Sequence, residues 1–301
     1  MTNSNVKTVK VSVITSLYRC EKFLSGFLNS VSQINNLDQC EFILIHNDPS
    51  EKELNILESY KYGPINIIHI GVDREGLYSS WNRAIKISRG KYLTVWNVDD
   101  IRFPDSISLQ VNALDEHPNA GIAYGDMYGS DVYGEAGEKL YNFPDWVNNK
   151  KEFYRSYLMS CFQMWRRSIH ESVGYYDEQF RCVADFDFQV RAALHFPLVK
   201  VNKPLGIYLE DQPHKISADS SQVLENNMVY LRYGAFEKIQ LPLLRKTLAI
   251  YKRKQFLFFG QWIKNPEKRP FGYIYIFKGV FMSLLKAPAY YGKMIVKNYA
   301  N

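Results

Sequence analysis

The feature that most constrains the fold is the regular alternation of strand and helix patterns over the first 126 residues. Runs such as VKVSVITSLY (9–18) are rich in β-branched residues and are typical of buried strands. Residues 21–33 instead repeat apolar side chains at helical spacing. Five strand patterns and four helix patterns follow one another with short connections. This order predicts an α/β fold with a doubly wound, mostly parallel sheet and right-handed crossovers.

The second half of the chain is less regular. Residues 131–149 are rich in Gly, Asn and Tyr and predict a loop or hairpin, whereas ADFDFQVRAALH (184–195) predicts a helix that opens with acids. Residues 198–219 predict two short strands and a loop, and from about Asn226 the pattern is mostly helical. We therefore expect a main domain at 1–225 and a helical, basic and aromatic C-terminal extension at 226–301.

Charge is distributed unevenly along the chain. The net charge is +6, but residues 241–301 contain twelve Lys and Arg against a single acid, Glu267, and carry +11. The remaining residues are therefore net −5. This asymmetry argues against a nucleic-acid-binding body and favours an anionic partner for the extension.

The lysines of the extension fall on one side of a predicted helix. Lys278, Lys286, Lys293 and Lys297 lie within an arc of about 100° on a helical wheel, with apolar and aromatic residues around the rest. Such a helix suits an anionic membrane interface. It equally suits packing on the main domain with a lysine-coated outer face. Pro288 would kink or split it.

The cysteines and the N-terminal sequence together predict the cellular compartment. Four cysteines are scattered without a CxxC pair, and MTNSNVKTVK has no apolar segment before the first strand. We expect reduced cysteines, no secretory signal and a cytoplasmic protein. If the extension binds lipid, the protein would lie peripherally on the inner face of the cell membrane.

Two adjacent acids, Asp99 and Asp100, follow the fourth strand pattern in GKYLTVWNVDDIRFPD (90–105). Ligands of parallel sheets bind beyond the carboxyl ends of the strands, which makes the loops at 15–18, 46–50 and 97–100 candidates. Adjacent carboxylates repel each other unless a cation is present, and Mg²⁺ and Mn²⁺ prefer oxygen ligands. The local sequence fits a metal site and a solvated acidic turn equally well.

Two further polar positions have both a structural and a chemical interpretation. Asp185 lies at a predicted helix start, where it or Asp187 would interact favourably with the helix dipole. Asp185 would alternatively serve as a general base facing an acceptor. His214 lies in a polar loop, where it is either solvated or in reach of a diphosphate or a metal ion.

In their order along the chain these segments resemble the family 2 glycosyltransferases, which are inverting enzymes with the GT-A fold. The resemblance covers residues 9–220. GLYSSWNRAIKISRGKYLTVWNVDD (76–100) is similar to the family's helix, glycine and Asp-x-Asp strand. VGYYDEQFRCVADFDFQVR (173–191) is similar to its Gly-aromatic-Asp-Glu segment and the acidic helix that follows.

The resemblance implies roles for individual residues. It assigns residues 1–126 to the nucleotide sugar and residues 127–225 to the acceptor. The positions implied for nucleotide-sugar binding are Thr15, Tyr18, Asp48, Arg74 and Asp99. Those implied for Mn²⁺ or Mg²⁺ are Asp99, Asp100 and His214. Asp185 matches the catalytic base.

The implied reaction is a metal-dependent transfer from a nucleotide sugar to a glycan or glycolipid acceptor, in surface polysaccharide or glycolipid synthesis.

Three departures from the family pattern keep a second class of function open. Asn97 replaces the first acid of Asp-x-Asp, Ala184 replaces the glutamate before the base, and Trp81 stands where many members have arginine. Asn97 and Ala184 favour a non-catalytic binding or assembly module with the same fold. A nucleotidyltransferase is disfavoured because no Gly-rich phosphate loop with a lysine follows the first strand.

Overall fold

The computed structural model describes most of the chain up to residue 247, and beyond it one shorter stretch and three single residues. The described residues are 8–60, 63–135, 137–146, 159–210, 221–233, 235, 238–243, 245–247, 255–264, 277, 281 and 285. His214 and the four lysines of the predicted C-terminal helix lie outside these ranges, so the calls made on them stay predictions.

The first half follows the predicted alternation. Its strands are β1 (Val11–Leu17), β2 (Cys40–Asn47), β3 (Ile67–Val72), β4 (Tyr92–Val95), β5 (Ile101–Arg102) and β6 (Ile122–Ser130). Its helices are α1 (Glu21–Ser32), α2 (Glu51–Ser59), α3 (Leu77–Ile87) and α4 (Ser106–Glu116), with a 3₁₀ turn at Leu37–Gln39. Among these described strands, only β5, which is two residues long, has no counterpart in the sequence prediction.

The second half contains shorter elements. Its strands are β7 (Lys139–Tyr141), β8 (Met164–Arg166), β9 (Leu198–Leu209), β10 (Gln255–Phe258) and β11 (Gln261–Lys264). Its helices are α5 (His170–Val173), α6 (Ala184–His195) and α7 (Ser221–Tyr233), with 3₁₀ turns at Arg167–Ile169 and Leu241–Leu243.

Two predictions for this half are wrong. Residues 198–209 form one long strand rather than two short ones, because an irregularity opposite Gly125 and Asp126 lets β6 and β9 stay paired across Pro204. Residues 255–264 form an antiparallel hairpin and not a helix. Phe256 and Phe258 are buried on alternate positions of β10, and Phe259 and Gly260 at the turn have positive φ.

The main sheet is mostly parallel, as predicted. Its strand order is β3-β2-β1-β4-β8-β6-β9-β5, with β7 paired to β6. The pairs β2–β3, β1–β2, β1–β4 and β6–β9 are parallel, whereas β5, β7 and β8 run antiparallel to their neighbours. The carboxyl ends of β1 to β4 therefore meet at one edge.

Apolar side chains cover both faces of the sheet. One face packs Val13 of β1 with residues of α1 and α4, such as Phe27 and Leu114. The opposite face packs Ile14 with residues of α3 and α6. Since successive residues of a strand point to opposite faces, this division is what a doubly wound sheet requires. It also places α3 and α6 on the same side of the sheet.

The C-terminal hairpin is attached to the main domain by hydrogen bonds from its backbone. The amide of Leu257 donates to Asp177 Oδ1 (3.0 Å), and that of Phe259 donates to Glu178 Oε1 (2.9 Å). Helix α7 crosses the predicted boundary at 225, and its Arg232 pairs with Asp177 (2.8 Å). The division at 225 stays a prediction. None of the helices within the described ranges combines the length and apolar character that a membrane span requires.

Candidate functional site

A cleft of about 740 Å³ lies at the carboxyl edge of β2 and β3. Its walls are formed by residues 48–49, residues 71–75 and Arg83. Two of the residues predicted to bind a nucleotide sugar, Asp48 and Arg74, line it. The cleft therefore lies where the alternating sequence pattern predicts ligand binding.

The loop after β2 is fixed to the loop after β3 through Asp48. This residue has a left-handed backbone (φ 45°), a conformation that aspartate adopts more readily than most residues. Its amide donates to Val72 O (2.9 Å), and its Oδ1 accepts from the amide of Arg74 (3.1 Å). Asp48 is exposed, so its carboxylate also faces the cleft.

Tyr18, at the end of β1, contacts the same cleft wall. The guanidinium carbon of Arg74 lies 3.6 Å from the centroid of the Tyr18 ring, a close cation–π contact. The ring is half-buried and the guanidinium is exposed. The contact brings an aromatic surface, a cation and the Asp48 carboxylate to one edge.

Asn47 and Glu75 organise this edge, and sequence analysis did not single them out. Asn47 is fully buried; its Nδ2 donates to Ser80 Oγ (3.0 Å) and its Oδ1 accepts from the amide of Glu75 (2.9 Å). Glu75 in turn receives a two-point hydrogen bond from Arg83 (3.1 and 2.7 Å). The available signal was an asparagine that closely follows the apolar run FILI (42–45) of a predicted strand, since a buried amide must find partners.

Thr15 is positioned differently from the other predicted nucleotide contacts. Its side chain is fully buried, and its hydroxyl donates to Trp96 O (2.8 Å). This bond ties β1 to the residue before Asn97, at the start of the acidic turn. The role of Thr15 in nucleotide binding stays a prediction, and its observed side-chain contact is with the protein.

The two carboxylates of the acidic turn after β4 differ in burial. Asp99 is half-buried, whereas Asp100 is only 2% exposed. Asp100 accepts from Asn97 Nδ2 at Oδ2 (3.0 Å) and from the amide of Leu209 at Oδ1 (3.3 Å). An acid at position 97 would lie beside a buried carboxylate of like charge. The amide of Asn97 instead donates to it, which accounts physically for this departure from the family pattern.

The turn offers carboxylate oxygens, the type of ligand that a hard divalent cation prefers. Within the described part of the chain, no cluster of three or more His, Cys, Asp or Glu side chains has metal-binding geometry. Two adjacent carboxylates nevertheless suit Mg²⁺ or Mn²⁺, which commonly take one or two carboxylates and complete their shell with water and phosphate. Burial, and then the charges of Asp99 and Asp100, raise the pKa of Tyr133 to about 12. Both carboxylates thus exert a negative potential at the Tyr133 hydroxyl.

Asp185 is the second residue of α6 and is half-buried. Its Oδ1 accepts from the hydroxyl of Tyr78 (3.2 Å) and from the amide of Phe186 (2.9 Å). Val183 occupies the N-cap position. Tyr78 belongs to α3, whose N-terminus adjoins Glu75 at the cleft. The structure thus links Asp185 to the cleft wall through one helix.

Asp187 has an entirely structural environment. It is fully buried, and its carboxylate accepts from Arg191 (2.9 Å), Arg232 (2.9 Å) and Tyr233 (2.9 Å). Burial alone would raise the pKa of Asp187, but the two guanidinium groups outweigh it and lower that pKa. Of the two acids that open α6, only Asp185 is half-exposed.

Comparison with known proteins gives a family match. The model described as glycosyl transferase family 2 matches residues 12–174, more than half of the chain. The match includes Tyr18, Asp48, Arg74, Asp99 and Asp100 and ends before Asp185.

Two curated relatives show the range of similarity. An uncharacterized glycosyltransferase of Methanocaldococcus jannaschii, MJ1057, is 27% identical over 187 residues, covering 60% of this chain and 63% of the relative. Chondroitin synthase of Escherichia coli is 20% identical over 195 residues, covering 64% of this chain and 28% of the relative. The chain therefore spans less than two thirds of the length of either relative.

Two solved structures share the fold. S. aureus TarS 1-349 in complex with UDP-GlcNAc superposes with a TM-score of 0.62 at 18% identity, covering 81% of this chain and 72% of that one. The mannosyltransferase PcManGT from Pyrobaculum calidifontis, in complex with GDP-Man and Mn²⁺, gives 0.54 at 11% identity, covering 97% and 79%. The GT-A architecture expected from the sequence is thereby confirmed.

Proposed function

The chain belongs to glycosyl transferase family 2, and on that premise we propose that it is an inverting, metal-dependent glycosyltransferase. It moves a sugar from a nucleotide-sugar donor to an acceptor hydroxyl of a glycan or glycolipid, in surface polysaccharide or glycolipid synthesis. The observation that carries the proposal is the half-exposed Asp185 carboxylate, which α3 connects to a polar cleft at the carboxyl edge of the sheet. The similarity to a chondroitin synthase supports the polysaccharide context.

The donor occupies the cleft beside Tyr18, Asp48 and Arg74. An aromatic face stacks on a nucleobase, a carboxylate accepts hydrogen bonds from base or ribose, and a guanidinium balances phosphate charge. The solved structures that share the fold carry UDP-GlcNAc in one case and GDP-Man in the other, which supports the nucleotide-sugar class. Thr15 would contribute as part of the wall behind the cleft.

Asp99 and Asp100 would hold the divalent ion, with His214 as the further ligand that the family resemblance implies. Mn²⁺ in the PcManGT complex supports this assignment. When bound, such an ion neutralises charge on the departing diphosphate. Asp99 is the more accessible carboxylate, whereas Asp100 also fixes the turn to the end of β9 through Leu209.

Asp185 is the general base of the proposed reaction. It takes the proton of the acceptor hydroxyl as that oxygen bonds to the anomeric carbon. The bond between this carbon and the diphosphate oxygen breaks, and its electron pair leaves with the nucleoside diphosphate. Because the acceptor attacks from the face opposite the leaving group, the anomeric configuration inverts. This parallels single-displacement glycoside hydrolysis, with a sugar hydroxyl in place of water.

The decisive experiment measures donor binding and turnover separately. A panel of UDP- and GDP-sugars with Mn²⁺ is screened by thermal shift, and release of UDP or GDP is then followed for each sugar nucleotide that binds. We expect at least one to raise the melting temperature and to turn over. The Asp99→Ala/Asp100→Ala double variant should lose turnover, and Asp105→Ala, which changes a half-buried acid outside the site, should retain it. Binding without turnover in the native protein would favour the non-catalytic module.

The C-terminal extension is proposed to bind an anionic membrane surface at the cytoplasmic face. The net charge of +11 over its residues 241–301 supports this, as do three apolar residues at helical spacing that are well exposed: Phe277 (72%), Phe281 (62%) and Leu285 (61%). Flotation with phosphatidylserine-containing vesicles should recover the native chain and not a Phe277→Ser/Phe281→Ser/Leu285→Ser variant. Equal recovery of both would contradict the proposal.

A further inference from the structure

Tyr78 is an internal tyrosine whose hydroxyl reaches the proposed base. It lies in the first turn of α3 and is only 3% exposed. Its ring packs edge-on against Trp81 (centroids 5.2 Å apart) and stacks on Tyr176 (5.7 Å). Two aromatic neighbours thus restrict the ring, and its hydroxyl lies 3.2 Å from Asp185 Oδ1. A side chain held in this way donates from a fixed point.

The helix that carries Tyr78 is itself fixed on the segment preceding α6. One turn after Tyr78, Asn82 donates from Nδ2 to Tyr176 O and to Glu178 Oε1 (both 2.8 Å), and accepts from the amide of Tyr176 at Oδ1 (2.9 Å). Asn82 is fully buried. Both contacts lie on the same face of α3, because residues four apart in a helix are neighbours. The distance between Tyr78 and α6 is therefore set by several hydrogen bonds.

Tyr176 provides a natural contrast beside Tyr78. It is fully buried in the same aromatic cluster, yet its hydroxyl has no hydrogen-bond partner among the residues that the structure describes. Burial and then the negative charge of Asp185 raise the pKa of Tyr176, so the phenol stays neutral. The two tyrosines share size and surroundings, and only Tyr78 donates to the carboxylate in the observed geometry.

We propose that Tyr78 is a positioning residue for Asp185, holding its carboxylate in the orientation that receives the acceptor proton. The inference rests on the proposed function, since it needs Asp185 to be the base. Its physical basis is that a hydrogen bond from a buried, immobile donor removes rotational freedom from a carboxylate at a helix start. A small displacement of a catalytic group costs rate without costing substrate affinity.

The test compares Tyr78→Phe with the matched Tyr176→Phe. Each variant removes one hydroxyl from the same cluster and preserves the ring. Turnover is measured as UDP or GDP release from the sugar nucleotide chosen in the panel. For Tyr78→Phe we expect kcat to fall about tenfold, with KM for the donor within about twofold. For Tyr176→Phe both constants should stay within about twofold. Equal kcat values for the two variants would overturn the positioning role.

A second measurement reports the contact without using activity. Thermal unfolding is measured for Tyr78→Phe and Tyr176→Phe, each in the native and the Asp185→Ala background. We expect Tyr78→Phe to lower the melting temperature by about 2 °C only when Asp185 is present, and Tyr176→Phe to act equally in both backgrounds. Additive effects for Tyr78 would show that the contact is absent in solution.

The outcomes separate the inference from the function on which it rests. If Asp185→Asn abolishes turnover and Tyr78→Phe behaves like Tyr176→Phe, the base assignment survives and the positioning role fails. If Asp185→Asn retains turnover, the base assignment fails, and the positioning role fails with it even where thermal unfolding shows the hydrogen bond.

Discussion

The proposed donor cleft and the region around Asp185, the proposed base, are built in opposite ways. Around the cleft, Asp48 and Arg74 are exposed, and hydrogen bonds of backbone amides hold the loops after β2 and β3 together. Around Asp185, buried side chains are cross-linked across α3, α6, α7 and the hairpin, with Asp187 and Arg232 at the centre. A charged, mobile sugar nucleotide needs an open, polar entrance. A base gains from a rigid and partly desolvated setting, where electrostatic interactions are stronger.

The largest effect should come from Asp185, the proposed base. Asp185→Asn keeps the size of the side chain and removes its ability to take a proton, so we expect kcat to fall by about 10²- to 10⁴-fold. Donor affinity should stay nearly unchanged, because the cleft is built from other residues. Turnover and thermal shift with the same sugar nucleotide measure the two quantities. A parallel loss of donor binding would contradict the separation of the two regions.

The next largest effect concerns the buried ion cluster on the base side. Asp187→Asn leaves Arg191 and Arg232 with one carboxylate fewer, and breaking a buried pair costs about 3–5 kcal/mol of unfolding free energy. Urea unfolding should reveal this loss. The matched control is Asp105→Asn, which removes a surface pair with Lys203 (3.9 Å) worth about 0–1 kcal/mol. Similar losses in both variants would mean that the cluster contributes no special rigidity.

The sequence predicts the first of these regions better than the second. The alternation of strands and helices is local, and it locates the edge where Tyr18, Asp48 and Asp99 lie. The base region depends on contacts between distant segments: Tyr78 and Asp185 are 107 residues apart. Both Asp185 and Asp187 open the helix in sequence. The family resemblance singles out Asp185, but that Asp187 is buried among Arg191, Arg232 and Tyr233 follows only from the packing. The two-residue strand β5 likewise exists because it pairs with β9 about a hundred residues later.

A pH-dependent effect is expected on the cleft side, at the start of α2. Burial alone would raise the pKa of Glu53, but amide donors from Cys20 (2.7 Å) and Ser50 (2.9 Å) outweigh it and lower the pKa to about 2. Because the pKa of Glu53 is lower in the folded protein, its ionised carboxylate stabilises the fold at pH values above the unfolded-state pKa of about 4.5. This stabilisation is lost as the pH falls towards 2. Glu53→Gln should therefore lower the free energy of unfolding near neutral pH by up to about 3 kcal/mol. The stability of this variant should also depend less on pH in the acidic range than that of the native protein.

The measurement is the melting temperature of native protein and variant between pH 2 and pH 7. Their difference should shrink as pH falls through the window from about 4.5 to about 2. The control is Glu51→Gln, an exposed acid in the first turn of the same helix, which should shift the curve little at any pH. A constant difference across the range would show that Glu53 stabilises the helix by packing and not by its charge.

The smallest effect should come from the cleft wall, where exposed groups are individually replaceable. Arg74→Ala removes the guanidinium that lies 3.6 Å from the Tyr18 ring centroid and one positive charge that lines the cleft. We expect the Kd of the sugar nucleotide to rise about tenfold with kcat little changed, the reverse of the pattern at Asp185. Arg74→Lys restores the charge without the planar stack and should recover only part of the affinity.

Arg19 offers a matched test of that last expectation, since its guanidinium carbon lies 5.2 Å from the same ring. At the longer distance the cation–π contact is weaker, so Arg19→Ala should change donor Kd less than Arg74→Ala does. Both variants are compared by titration with the sugar nucleotide in the presence of Mn²⁺. If the two losses were equal, net charge at the edge would explain donor affinity, and the stack of Arg74 on Tyr18 would have no separate part in it. A larger loss for Arg74 that also lowered kcat would instead mean that the open cleft is mechanically coupled to the rigid base region, through Glu75 and α3.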